Sequence, residues 1–436
     1  MRDLLMISFI LGGALWALRQ PWIGVMLWTW VSIMNPHRYT WRASEWPLAA
    51  IVAGCTLIGL MMTRDRRSPL AGPPAWTLLI FMVWVSVVLP LSFDVEGSYG
   101  MYSRVMKIDL MILVTVALIY TRQHIWWLVL ITTFSLGFYG VKGGIFTIVS
   151  GGSFRVWGPP DSFIEGNNEL ALALIILIPL LRFIQLQLAS KWARHAMLAA
   201  MLLCAVAAIG SQSRGALLAI VGMGGFLWWR SEQKVLSGVA IAVVAAAVVA
   251  FMPDQWSGRM NTIQTYDQDA SALGRINAWW MTFNLAKDRI IGGGFDIYTQ
   301  QLFQIYAPDP TDIHVAHSIY FQILGEQGFI GLFLFLLMWA LVWLSAGWLR
   351  KHGRVQASTH WASDLGAMCQ VSLVGYAVGG AFLSLAYFDL PYILLVLVVA
   401  ARRWLEQGLW QSDTSPMRWS ALAPAPPLRR KTWAPA

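Results

Sequence analysis

Charged residues are scarce in this 436-residue chain, where Asp, Glu, Lys and Arg together make up 12%, against about a quarter in ordinary soluble domains. Apolar residues account for 57% and recur in long runs along nearly the whole chain. A separate soluble catalytic domain is therefore excluded. The composition predicts one polytopic membrane protein of the all-α class, because only helices satisfy their own backbone hydrogen bonds segment by segment in lipid.

Cysteine is also scarce. Cys55, Cys204 and Cys369 lie in separate apolar segments without CxxC spacing, so neither a disulfide framework nor a zinc site is indicated. The net charge of +9 comes from short clusters of Lys and Arg between apolar segments. Such clusters indicate membrane topology and give no reason to expect a nucleic-acid partner. The apolar start lacks a small-residue cleavage site, so we expect it to be a retained helix.

Membrane-spanning helices are predicted wherever about 20 mostly apolar residues follow one another. The candidate spans are 46–62, 75–92, 104–120, 124–141, 168–188, 195–210, 213–229, 235–252, 317–348, 365–385 and 387–401. Two shorter runs, 4–18 and 21–34, could be two short spans, a hairpin or one kinked helix. The predicted count is therefore 12 or 13 spans.

Orientation follows from Lys and Arg, which cluster in alternate connections and are expected on the cytoplasmic side. The opposite side receives the loops near 35–45, 93–103, 142–167, 211–213 and 253–316 and the turn near 386. We expect N-terminal transmembrane helices at 1–145, a membrane domain at 146–404 that includes loop 253–316, and a disordered, basic, Pro-rich cytoplasmic tail at 405–436.

The long loop has its own local pattern. Residues 271–287 place Ile276, Trp279, Trp280 and Phe283 at helical spacing, which predicts a short helix at the bilayer interface. Three consecutive glycines, 292–294, are then expected to break the chain.

His317 opens the apolar segment 317–348 on the side assigned to the exterior. A neutral imidazole can accept a proton from a sugar hydroxyl near pH 7, and the positive end of a helix would lower its pKa and attract phosphate oxygens. An interfacial histidine bonded to a loop carbonyl explains the same pattern. A metal site made of Asp312, His314 and His317 is a weaker alternative because no fourth ligand is evident.

Glu326 follows His317 by nine residues, which at about 100° each places the two on opposite faces of a straight helix. A direct dyad is therefore not expected. Gly325, Gly328 and Gly331 could let another helix approach. Glu326 is then predicted to be a buried partner for a polar group on that helix, because an intramembrane carboxylate needs one.

Two arginines are candidates for binding phosphate. Arg214 follows a polar turn in which Ser211 or Ser213 could cap the next helix, and its guanidinium suits a pyrophosphate or, alternatively, lipid headgroups. Arg275 lies on the predicted interfacial helix, where a solvated charge is the alternative. A further polar cluster contains Arg155, Asn168 and Glu169, which could bind an acceptor, cap a helix or order a loop.

Four segments resemble the O-antigen ligase and polymerase superfamily in their order along the chain. They are SQSRGALLAI at 211–220, LGRINAWW at 273–280, IGGGF at 291–295 and HSIYFQILGEQGFIG at 317–331. The resemblance covers about 168–400, and the first 140 residues resemble O-glycosylation ligases associated with exosortase A.

The resemblance implies an inverting glycosyltransferase without metal or cofactor, which moves a glycan from undecaprenyl pyrophosphate to an acceptor at the periplasmic face of the bacterial inner membrane. His317 matches the family's catalytic base, and Arg214 and Arg275 match its pyrophosphate-binding arginines. Ser318 stands where many relatives have asparagine. The residues expected in supporting roles are Glu326, Ser318, His314 and Arg155.

The acceptor is left open, since a lipid, a glycan or a protein hydroxyl would use the same residues. A polysaccharide polymerase and a protein O-oligosaccharyltransferase are therefore alternatives with the same chemistry. A transporter of lipid-linked glycan is an alternative of another class, for which charges spread through the spans would be expected. Membrane lipids are the remaining expected partners.

Overall fold

The computed structural model describes residues 2–41, 46–261 and 269–412. Throughout these ranges the regular structure consists of α-helices and short 3-10 turns, and no strand occurs in them. The predicted all-α class is confirmed. Most of the predicted tail, from residue 413 onward, lies outside the described residues, while the last helix continues to Glu406 and a 3-10 turn spans Leu409–Gln411.

The helices follow one another along the chain with short connections. The first part of the chain contains α1 (Arg2–Ala17), α2 (Pro21–Met34), α3 (Leu48–Met62), α4 (Pro73–Val88), α5 (Val95–Leu118), α6 (Arg122–Val149) and α7 (Asn167–Gln187). The second part contains α8 (Lys191–Gly210), α9 (Arg214–Arg230), α10 (Lys234–Phe251), α11 (Asp254–Asn261), α12 (Ala270–Asp288), α13 (Gln300–Tyr306), α14 (Ile319–His352), α15 (His360–Gly380) and α16 (Asp389–Glu406).

Every segment predicted to span the membrane coincides with a helix, and the first two runs form separate helices, α1 and α2, joined near Gln20. Among the described residues, five helices are long and apolar enough to cross a membrane. These are α4 with the turn that follows it, α6, α7, α8 and α14. The polytopic character is confirmed, and the total of 12 or 13 spans stays a prediction.

The core of the bundle is formed by helices that are apolar on all sides, as expected for helices surrounded by other helices. Every residue of α16 from Asp389 to Ala401 is buried, and α7 is buried along most of its length between α6, α8 and α15. α14 packs against α4, α12, α15 and α16. This packing brings the N-terminal ends of α7, α9 and α14 to the same end of the bundle.

A helix is present where the interfacial helix is predicted, namely α12, and its position at the bilayer interface stays a prediction. Its buried side consists of small and apolar residues such as Ala278, Met281 and Leu285, whereas Trp280 is 52% exposed. The chain therefore turns part of the aromatic pattern away from the protein core, which is the arrangement that an interfacial helix requires.

Candidate active site

The turn between α8 and α9 fixes the direction of Arg214. The Ser213 hydroxyl accepts a hydrogen bond from the Ala216 N–H at 3.2 Å and caps α9, so Ser213, rather than Ser211, is the N-cap. From the start of α7, the Asn167 side-chain amide donates to the carbonyl of Ser211 at 2.7 Å. Arg214 is consequently the first residue of α9, and the turn before it is hydrogen-bonded to the start of α7.

Arg214 forms an ion pair with Asp269. Its Nη1 lies 2.6 Å from Oδ2 of Asp269, and the two side chains are 17% and 16% exposed. The same carboxylate accepts a hydrogen bond from the Ala272 N–H at 3.1 Å and caps α12. One acidic side chain therefore joins the first turn of α9 to the first turn of α12.

Arg275 lies on α12 close to this ion pair. Burial lowers the pKa of its guanidinium, Arg214 lowers it further by repulsion, and the carboxylates of Glu169 and Asp269 act in the opposite direction. The Nε of Arg275 is buried and has no hydrogen-bond partner among the described residues. Two cations thus share one partly enclosed site, and one of them retains an unused N–H donor.

His317 lies just before α14 in a left-handed backbone conformation with φ 44°. Such a conformation is unfavourable for a residue with a Cβ and is held in place by its surroundings. Burial, together with the charges of Arg275 and His314, lowers the pKa of His317 to about 4. Its Nδ1 is buried without a partner in the described part of the chain. The ring is therefore neutral near pH 7, and its Nδ1 remains free of any hydrogen bond from the described residues.

α12 also holds the loop that carries His317. The Asn277 side-chain amide donates to the carbonyls of Asp309 and Asp312 at 2.8 and 2.9 Å. Two residues further along α12, the indole N–H of Trp279 donates to the carbonyl of Ala316 at 2.6 Å. Because Ala316 is adjacent to His317, these bonds set the position of the imidazole relative to Arg275.

His314 contacts the same helix. Its Nδ1 lies 2.8 Å from Oδ1 of Asp312, and its ring packs so closely on Gly274 that a Cβ there would lie 2.6 Å from Nδ1. Within the described ranges, no group of three or more His, Cys, Asp or Glu side chains is arranged to hold a metal ion. His314 therefore forms an ion-pair contact and a packing contact beside His317.

Residues 199–336 match the family model described as O-antigen ligase, and this range contains Arg214, Arg275 and His317. The chain carries an O-antigen ligase domain. This match supports a relation to the O-antigen ligase-like superfamily and a membrane glycosyltransferase-like function in polysaccharide biosynthesis, and the long apolar helices are those of a multi-pass membrane protein. Residues 1–187 match a family of unknown function, and no curated protein matches the chain. The narrower resemblance to exosortase-associated ligases stays a prediction.

Glu326 of the ligase domain is buried and bonded. Its Oε2 accepts a hydrogen bond from the Tyr387 hydroxyl at 2.7 Å, and its Oε1 accepts one from the Gln322 amide at 3.3 Å. A polar partner is therefore present as predicted, but Tyr387 lies in the turn just before α16 rather than on a helix. The bonds give Glu326 a structural role between α14 and α16.

The three glycines of α14 have different neighbours. Thr282 of α12 lies against Gly325 and Trp84 of α4 lies against Gly331, so a helix approaches at these two positions as predicted. The backbone of Gly328 has φ 68° and kinks α14, and loop 290–294, rather than a helix, packs there. A kink leaves carbonyls without helical partners. The Gly293 N–H donates to the carbonyl of Gly325 at 2.9 Å, and the next N–H donates to the next carbonyl at 3.0 Å. A Cβ on Gly328 would lie 1.9 Å from the carbonyl oxygen of Ile290.

The remaining expected site residues have different surroundings. Ser318 is 1% exposed, and its hydroxyl has no partner among the described residues. Arg155 is exposed in the loop between α6 and α7, and no described contact joins it to the arginine cluster. Sequence reasoning missed Asn167 and Asp269. Asp269 could have been found from the preference for Asp at helix N-caps.

Proposed function

We propose that the ligase domain is an inverting, metal-independent glycosyltransferase that moves a glycan from undecaprenyl pyrophosphate to an acceptor hydroxyl at the periplasmic face of the inner membrane. The observation that carries the proposal is that a neutral His317 lies near Arg275, and that Nδ1 of His317 and Nε of Arg275 are both buried without a partner among the described residues. A base for a hydroxyl and cations for a diphosphate are the two functions that this reaction requires.

The reaction is a single displacement. His317 accepts the proton of the acceptor hydroxyl while the acceptor oxygen bonds to the anomeric carbon of the donor sugar. The bond between that carbon and the pyrophosphate oxygen breaks, and its electron pair leaves with undecaprenyl pyrophosphate. Arg214 and Arg275 stabilise the developing negative charge. This electrostatic stabilisation is strongest in a site that contains little water.

Donor binding also improves the base. The Arg275 charge lowers the pKa of His317 in the free protein. A bound pyrophosphate partly neutralises that charge, so the pKa of His317 rises towards the operating pH, where a general base works best. The base is thus strengthened when the donor is in place.

The remaining candidate residues differ in the roles that this proposal assigns to them. Glu326 supports α14 through Tyr387, and His314 supports the loop before His317 through Asp312. Ser318 has a buried hydroxyl beside the base and is available to the acceptor. Arg155 is assigned no role in the chemistry, since it lies exposed on its loop.

The test uses purified protein with undecaprenyl-pyrophosphate-linked glycan and candidate acceptors, and measures new glycoconjugate. His317→Gln should lower kcat by about 10²- to 10⁴-fold and leave donor binding largely intact, whereas Arg275→Gln should weaken donor binding. The matched control is His352→Gln, at the exposed far end of α14. Normal turnover by a well-folded His317→Gln variant would disprove the assignment of the base.

The same assay separates the alternatives. Elongation of the donor glycan itself would indicate a polymerase, and transfer to a serine or threonine would indicate a protein transferase, with the same residue roles. Movement of the lipid-linked glycan without a new glycosidic bond would indicate a transporter. The gathering of Arg214, Arg275 and His317 at one end of the bundle favours bond formation over a path through the membrane.

A further inference from the structure

A cavity of about 730 Å³ lies outside the candidate active site, between α2, α3, α5 and the residues at the start of α16. We name it the N-terminal cavity. Arg214, Arg275 and His317 do not line it. Its volume falls within the range of small-molecule sites, about 300 to 1,000 Å³. All its lining residues except Phe388 and Asp389 belong to the region that matches the family of unknown function.

We propose that the N-terminal cavity binds one phosphate-bearing membrane lipid, with the phosphate on the cations of the cavity and the hydrocarbon chain along its apolar wall. The proposal concerns a second site and does not depend on the reaction assigned to His317.

The cations of the cavity are Arg38, Arg104 and Lys107. The Arg104 guanidinium lies 3.9 Å from the centre of the Phe163 ring, which holds it by a cation–π contact and leaves its N–H donors available for an anion. Lys107 follows three residues later on α5, so it projects from the same face of that helix.

Three buried polar atoms of residues that line the cavity have no hydrogen-bond partner among the described residues: Nε of Arg38, Nδ1 of His37 and Oδ1 of Asp389. Arg38 pairs through Nη1 with Asp161 at 3.0 Å, but the Asp161 side chain is 71% exposed, and an ion pair of that kind contributes little. The Nε of Arg38 is buried without a hydrogen-bond partner in the described residues, as is the Nδ1 of His37, whose side chain lines the cavity and is 8% exposed. Buried polar atoms normally have partners, so these two nitrogen atoms point to a ligand.

Asp389 also lines the cavity and opposes the cations. It is 2% exposed, and the Ser32 hydroxyl donates to its Oδ2. One of its oxygens is therefore bonded within the protein, and the other, Oδ1, is buried without a partner in the described part of the chain. Three cations against Asp389 and the exposed Asp161 leave an excess of positive charge, which favours an anionic ligand.

The rest of the wall is apolar. Leu57 on α3 and Met111 on α5 are among the apolar residues that line the cavity. Met111 lies about two helical turns, or about 10 Å, from Arg104 along α5. A Cβ added to Gly54 or Gly100 would meet no atom within 4 Å, so both glycines face open space. A free phosphate ion would leave this apolar surface in contact with water, whereas a lipid chain would cover it.

The cavity is linked to the helix that follows His317 through the segment just before α16. Phe163 packs against Phe388, with ring centres 6.4 Å apart, and the neighbouring Tyr387 is bonded to Glu326 of α14. A lipid in the cavity would therefore lie next to the ligase domain without occupying its cationic cluster.

The experiment measures lipid binding to the full chain, purified in a nonionic detergent, by native mass spectrometry. The probe is dioleoyl phosphatidic acid, with dioleoylglycerol and inorganic phosphate as comparison ligands. We expect one saturable phosphatidic acid per chain, and little binding of either comparison ligand. Equal binding of dioleoylglycerol would overturn the role of the cations, and competition by inorganic phosphate alone would overturn the role of the apolar wall.

Two kinds of variant localise the site. Arg104→Gln combined with Lys107→Gln removes charge, and Gly54→Leu fills the open space; each should weaken phosphatidic acid binding by about tenfold or more. The matched controls are Arg19→Gln, exposed between α1 and α2, and Gly12→Leu, where a Cβ likewise meets no atom within 4 Å. Unchanged binding by folded charge variants would overturn the proposal even if Gly54→Leu fails to fold.

Discussion

Removing the positive charge of Arg275 should raise the pKa of His317. Burial is the largest cause of the low pKa, and the Arg275 charge is the second. An Arg275→Gln variant keeps the burial and loses the charge, so the pKa should rise from about 4 and remain below the ordinary value of 6.5. The variant therefore tests whether the two residues lie close enough to act on one substrate.

The size of the effect can be bounded. The lowering from 6.5 to about 4 corresponds to about 3 kcal/mol in favour of the neutral ring. Because Arg275 contributes less than burial does, its share is at most about half of this free energy. The pKa of His317 in Arg275→Gln should accordingly rise above about 4 by no more than half of the way to 6.5.

The assay is NMR of protein labelled with ¹³C-histidine across a pH titration. The chain has seven histidines, and a His317→Gln sample identifies the signal of His317. The matched control is Lys287→Gln, which removes an exposed cation from the same helix, α12. The reasoning fails if His317 titrates near 6.5 in the unaltered protein, or if both variants change its pKa equally.

The same titration has a consequence for stability. Above pH 6.5 the ring is neutral in the folded and the unfolded chain alike, so its protonation costs nothing. As the pH falls from 6.5 to 4, His317 becomes protonated in the unfolded chain but stays neutral in the folded chain. The free energy of unfolding therefore decreases by up to about 3 kcal/mol over this range. Thermal unfolding should therefore be less sensitive to acid in His317→Gln over that pH window.

Three further pairs of variants test the supporting structure, each compared by activity or by thermal unfolding in detergent. Gly328→Ala should destabilise the protein strongly, because its Cβ would meet the backbone of the glycine loop, whereas Gly137→Ala has open space and should be neutral or stabilising. Asn167→Asp replaces the donor to the turn before Arg214 and should lower activity more than Asn168→Asp does. Asp269→Ala should cost about 1 kcal/mol more than Asp269→Asn, since asparagine still caps α12.

Each comparison has an outcome that contradicts it. Equal unfolding temperatures for the two glycine variants would show that the kink does not need a positive φ. Equal activities for the two asparagine variants would remove the role of Asn167 in positioning Arg214. An Asp269→Asn variant as unstable as Asp269→Ala would mean that the ion pair, rather than the cap, holds α12.

Helix positions could be predicted from the sequence because they depend on local properties. Apolar runs of the length of a membrane span coincide with α-helices throughout the described chain, and the capping serine before Arg214 follows a local rule. The proximity of Arg214, Arg275 and His317 was predictable only from the order of the family-like motifs. The three residues lie far apart along the chain, so a local periodicity could not have predicted that they share one site.

The structural features that the sequence did not predict depend on contacts between distant segments. Asn167 and Asn168 are neighbours, but about 100° of helix rotation separates their side chains, and only packing decides which one faces the α8–α9 turn. The kink at Gly328 depends on donors from loop 290–294. The N-terminal cavity depends on helices that carry Arg38 and Arg104, and no motif links them.

α12 contacts or carries each part of the candidate site. It carries Arg275, it is capped by the carboxylate that holds Arg214, and its Trp279 fastens the backbone just before His317. The strained conformation of His317, whose Nδ1 is buried without a partner among the described residues, needs surroundings that hold it in place. Because α12 carries Arg275 and contacts both Arg214 and the residue before His317, this one helix fixes the proposed base relative to the proposed pyrophosphate site.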